Sequence, residues 1–76
     1  MKVTFKKVES YDAELMVVKI SSTPTLKQVA YGVIFNDSRN RFPCGSEVRT
    51  SELVELIMDG DTSYLQTLNT VYKMVD

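Results

Sequence analysis

Hydrophobic and polar positions alternate over Met1 to Ser10. Val3 and Phe5 point one way and Lys2, Thr4 and Lys6 the other, which is the period of a half-buried strand. Tyr11-Asp12-Ala13 reads as a turn. Leu15 to Ser21 is apolar on both sides, with Met16, Val18 and Ile20 on one and Leu15 and Val17 on the other, as in a central strand. Pro24, within Ser22-Thr23-Pro24-Thr25, has no N–H to donate and breaks the run. Gln28 to Asn36 is the clearest strand, with Val29, Tyr31, Val33 and Phe35 on one face and Ala30, Gly32 and Ile34 on the other. Gly32 has no side chain, so a close approach over it is expected.

Asp37-Ser38-Arg39-Asn40 follows as a turn with Asn40 suited to a left-handed conformation. Phe42-Pro43-Cys44-Gly45-Ser46 forms a second turn, with Pro43 suited to its second position and Gly45 supplying the positive φ. Glu47 to Thr50 is extended. The last third reads two ways. Tyr64, Leu65, Leu68, Val71, Tyr72 and Val75 have helical spacing, and Ser51 to Met58 fits a short helix capped by Thr50. Against this, Thr67, Asn69, Thr70, Val71 and Tyr72 are weak helix formers, and Val71 to Val75 also fits a terminal strand. The expectation is a single domain, residues 1–76, mainly β: a hairpin-rich sheet or small barrel of five to six strands. The alternative is α+β, three strands followed by two C-terminal helices.

Seventy-six residues hold one small core, with a margin of a few kcal/mol. A net charge of −1 gives no overall pull toward nucleic acid or an anionic membrane. The charge is uneven, however. Residues 51 to 76 hold only Lys73 against Glu52, Glu55, Asp59, Asp61 and Asp76. Lone Cys44 makes an internal disulfide impossible, and with no long apolar run the expected compartment is the cytoplasm.

There is no histidine, so the commonest general base and metal ligand are missing. No paired thiols, phosphate loop or nucleophile elbow is present, and the chain is read as a non-enzyme without cofactor or metal. Asp59-Gly60-Asp61 lacks the later ligands of a calcium loop and reads as a turn. Cys44 near Arg39 and Arg41 is a candidate activated thiol, but has no evident acid/base partner.

The run Gly32-Val33-Ile34-Phe35-Asn36-Asp37-Ser38-Arg39-Asn40-Arg41-Phe42-Pro43-Cys44-Gly45 resembles a loose group of short bacteriophage and prophage proteins. So do Val48-Arg49-Thr50-Ser51 and Gln66-Thr67-Leu68-Asn69-Thr70-Val71-Tyr72. The pattern of that group is an isoleucine or valine strand, Asp-x-x-Gly-Arg-Phe, Pro-Asp-Gly, a Thr-Ser pair, then Thr-x-Asn-x-x-Tyr. The resemblance covers about residues 32 to 74; Asn40 stands in place of the group's Gly and Cys44 in place of its Asp. It implies a compact β protein of phage origin, with no catalytic activity. A structural role for the shared residues has Phe42 plugging the core, with Thr50, Thr67 and Asn69 bonding buried backbone groups.

Two surfaces are candidates for a partner. One is basic: Arg39, Arg41 and Arg49 around Phe42, with Arg41 and Arg49 expected on neighbouring strands and Lys2, Lys6 and Lys7 extending the patch. The other is acidic: Glu52, Glu55, Asp59 and Asp61, suited to a basic groove. The reading that follows is a phage accessory protein that binds and inhibits a bacterial host protein, such as a defence system. The alternatives are a small nucleic-acid-binding barrel using Lys6, Lys7, Arg39, Arg41 and Phe42, and a self-assembling structural or regulatory protein.

Overall fold

In the computed structural model, which describes residues 1–25 and 27–76, the described chain is all strand and loop. Seven strands follow in order: β1 (Lys2–Phe5), β2 (Ala13–Ser22), β3 (Gln28–Phe35), β4 (Ser46–Arg49), β5 (Glu55–Asp59), β6 (Thr62–Gln66) and β7 (Val71–Met74). They form one open mixed sheet in the order β1-β5-β6-β7-β2-β3-β4, so the mainly β expectation holds with seven strands rather than five to six. The helical alternative fails. Residues 55–59, 62–66 and 71–74 pair as an antiparallel meander, and the β-branched and Thr-rich composition of that region outweighs the helical spacing of its large residues.

The connection from β4 to β5 forces the sheet to curl. In a flat sheet these strands would be five spacings apart, about 24 Å. Arg49 to Glu55 reaches at most about 22 Å when fully extended. The segment instead bridges the curled sheet at one end: Thr50 N–H bonds to Ala30 O, Leu53 N–H to Gln28 O, and Val54 N–H to Gln66 O. Leu53 thereby plugs a core of Ala13, Leu15, Ala30, Ile34, Leu65 and Tyr72, edged by Val17, Val48, Leu56 and Met74. Thr50 is no helix cap. Its Oγ1 accepts the Ala30 N–H and donates to the Ser51 carbonyl, and Thr67 Oγ1 accepts the Thr70 N–H in the β6–β7 turn.

The other face of the sheet is covered over only part of its width. Because β1 and β2 are parallel and separated by β5, β6 and β7, the connection between them must cross those three strands. It is pinned by Val8 N–H on Asp59 Oδ2, by Tyr11 against Tyr64 with ring centroids 6.0 Å apart, and by Asp12 N–H on the Val71 carbonyl. Ile57 and Tyr64 are buried beneath it. The outer face of β2, β3 and β4 lies beyond this crossing.

Two faces differ from expectation. A β-bulge puts Val18 between Val17, opposite Gly32, and Lys19, opposite Tyr31. The extra residue reverses the alternation. Leu15, Val17 and Ile20 therefore share the inner face, while Val18 is left exposed. On β1, Val3 and Phe5 lie on the core side of the sheet, beside Leu56 and Met58. They fall outside the curl and stay 54% and 80% exposed.

Candidate functional site

The basic cluster expected around Phe42 is taken up by internal carboxylates. Asp37 follows a left-handed Asn36, and its side chain is fully buried. Its oxygens accept the backbone N–H groups of Arg39 (3.1 Å) and Arg41 (3.0 Å), and the guanidinium of Arg41 through Nε (3.0 Å) and Nη2 (3.2 Å). The guanidinium hydrogen bonds outweigh burial and, with the two backbone donors, hold the Asp37 carboxyl below its ordinary range. The same contact raises Arg41 further above its usual value. Arg41 also reaches Thr70 Oγ1 (3.2 Å), and Arg39 bonds the Asn69 carbonyl and pairs with Asp12 (3.3 Å). The other Asp12 oxygen accepts the Val71 N–H (2.8 Å).

Both arginines thus tie the β3–β4 loop to the β6–β7 turn. Cys44 is exposed, and its sulfur accepts the Asn36 N–H. Phe42 is 44% exposed on this loop and does not plug the core. Pro43 occupies the first position of its turn, not the second: Ser46 N–H bonds to the Pro43 carbonyl, and Gly45 takes the positive φ at the third position. Asn40 is left-handed as expected. Arg49 is on β4 and Arg41 is in the loop, so they are not strand neighbours.

The acidic candidates are dispersed. Glu52 pairs with Lys27 (3.7 Å) and Glu55 is buried beside Lys6 (3.5 Å). The neighbouring Thr4 hydroxyl, although short of full hydrogen-bond geometry, and the Lys6 ammonium favour the charged Glu55 carboxylate and lower its pKa against the opposing effect of burial. Asp59 holds the β1–β2 crossing, and Asp61 sits in the two-residue β5–β6 turn, where Gly60 takes φ 59°. Asp61 and Asp76 flank a cavity of about 330 Å³ with Val17, Ser63, Met74 and Val75.

Two surfaces escaped the sequence reading. The first is the free edge of β1. Lys2 N–H bonds to the carbonyl of Val54, just before β5, and Lys6 N–H to that of Met58 on β5, so by alternation the backbone groups of Val3 and Phe5 face outward. Among the described residues no strand pairs with that side.

The second lies on the outer face of β2, β3 and β4. Register aligns Lys19 on β2, Tyr31 on β3 and Arg49 on β4 side by side. The Lys19 ammonium lies 5.2 Å from the Tyr31 ring centroid. A groove of about 360 Å³ is lined there by Val18, Tyr31, Val33, Glu47 and Arg49. Neither surface is legible without register, because Lys19, Tyr31 and Arg49 are far apart in sequence.

The chain matches no protein-family model, and comparison with curated proteins and with solved structures finds no match. Among the described residues no helix is long and apolar enough to cross a membrane.

Proposed function

We propose that this chain is a non-catalytic binding protein that attaches through the β1 edge to a bacterial host protein and inhibits or modulates it. The observation that carries the reading is Phe5, 80% exposed beside half-exposed Val3 on a strand whose outer backbone groups lack a partner strand among the described residues. An edge of this kind takes an added strand: main-chain hydrogen bonds supply affinity and alternate side chains supply selectivity. Burying a side chain such as Phe or Val contributes about 1.5–3 kcal/mol.

The charge of β1 defines the partner. Lys2, on the opposite face of the strand from Val3 and Phe5, makes no ion pair among the described residues, and Lys6 and Lys7, paired with Glu55 and Glu9, follow the strand. The complementary segment is extended, apolar at alternate positions and acidic between them. Pairing of β1 with a second β1 in antiparallel register would place Lys2 against Lys6, a like-charge contact that disfavours it. The resemblance to short phage and prophage proteins, the small size and the lack of a recognisable catalytic motif support an inhibitor that acts in the host, with a defence protein as the proposed target.

The test uses the whole chain as bait in bacterial lysate, beside Phe5→Asp, with circular dichroism confirming that the variant folds. The expected result is a stoichiometric host complex with the unchanged chain, weakened at least tenfold by Phe5→Asp. Recovery of bait alone, or equal capture by the variant, overturns the proposal. Sizing that shows only a self-assembled form without host protein also overturns it, in favour of a structural role.

A further inference from the structure

From the row Lys19–Tyr31–Arg49 we infer a second binding site, which takes single-stranded nucleic acid: a base stacked on Tyr31, with flanking phosphates on Lys19 and Arg49.

Among the described residues, five of the nine basic side chains are already paired. Lys6, Lys7, Lys27, Arg39 and Arg41 are each paired with a carboxylate. Lys19 and Arg49 make no ion pair among the described residues, and both are exposed. Cross-strand register places these two cations on either side of one aromatic ring, Tyr31, which is 37% exposed. An exposed ring on a sheet face is a stacking surface for any base, and cations beside it follow the backbone. Two strand spacings separate Lys19 from Arg49, roughly 10 Å. Long flexible side chains at that separation reach successive phosphates around one stacked base.

The groove has the volume of a small-ligand site, and Val18 and Val33 give it apolar walls. The bulge brings Lys19 to the same face as Val18, since plain alternation from Val17 would turn Lys19 inward. Glu47, opposite Val33 and two residues before Arg49, closes one end of the groove to phosphate, so the backbone runs across the strands along the Lys19–Arg49 row. The Lys19 ammonium now over Tyr31 moves to a phosphate when a base takes the ring. An aromatic flanked by cations favours a nucleotide over an acidic peptide, whose Asp and Glu side chains carry no aromatic ring to stack. The site is on the opposite sheet edge from β1 and stands independently of β1 docking.

The experiment is fluorescence anisotropy of the full chain with labelled dodecameric oligo-dT and oligo-rU at 50 mM salt. Binding is expected, and raising salt to 200 mM should weaken it about sevenfold, as for two phosphate contacts on a single strand. Tyr31→Ala should weaken it at least about fivefold. Lys19→Ala with Arg49→Ala should remove most of the salt dependence, while Arg39→Ala, on the separate loop, leaves affinity unchanged. No binding at 50 mM salt overturns the inference. So does binding indifferent to Tyr31 and to the two cations, or equal competition by a poly-glutamate peptide. Thermal melts of each variant separate loss of binding from loss of fold.

Discussion

A carboxylate buried as fully as that of Asp37 is stable in its charged form only if its lone pairs are occupied, and here four N–H donors occupy them. Because those donors lower the Asp37 pKa in the fold, the unfolded chain takes up the proton first as pH falls. The stabilisation is present above the ordinary value of 3.8 and is lost as pH falls through the depressed folded value. Glu55, also lowered, has the same sign. Asp37→Asn keeps the size but loses the charge and leaves Arg41 without its partner. It should cost about 2–3 kcal/mol at neutral pH, where breaking a buried pair costs most. Urea unfolding from pH 7 down to pH 2.5 reads both effects: a lower midpoint at pH 7, and a shallower fall in acid because the contribution of Asp37 is gone. An unchanged acid slope would refute this account of Asp37.

At the scale of elements, the β2–β3 ribbon carries the most constrained position. Gly32 faces Val17 just before the bulge, and a Cβ there would collide with the Met16 carbonyl oxygen, a backbone atom that cannot move aside. Gly32→Ala should therefore destabilise the protein by about 1–3 kcal/mol, the cost of overpacking in a dense core. In a domain of this length that lowers the melting temperature by several degrees for each kcal/mol. A melting temperature within two degrees of the parent would contradict the close approach. The need for glycine was visible in the strand pattern. The bulge was not, because Leu15 to Val18 is apolar on both faces, and Lys19 by itself does not mark where the faces change. The exposure of Val3 and Phe5 was equally hidden: their alternation is that of a half-buried strand, and only the place of β1 at the sheet edge leaves them uncovered.

For the whole molecule, the topology governs folding. Lys2 pairs with Glu55 and Ala13 with Tyr72, so both parallel contacts join distant parts of the chain. Loops of that length close at an entropic cost before pairing rewards them. Stopped-flow refolding from urea, followed by the fluorescence of the four tyrosines in this tryptophan-free chain, should take milliseconds to seconds. Microsecond refolding would be incompatible with this order of strands. The same topology divides the arginines. Arg39 and Arg41, prominent in the sequence, lock the loop between β3 and β4 onto the turn between β6 and β7. Arg49, at the end of β4 away from that loop, makes no ion pair among the described residues.

Composition and local pattern determined that the first two-thirds of this chain is strand and turn while the last third read two ways, that its breaks fall near Pro24, Asn40, Gly45 and Gly60, and that Gly32 meets close neighbours. These depend on the backbone conformations open to each residue and on side-chain period, both local properties. Tertiary structure decided which apolar residues are covered, which arginines are already paired, and that Lys19, Tyr31 and Arg49 stand in one row. Strand order and register set those facts, and both arise from contacts between segments with no neighbourhood in sequence.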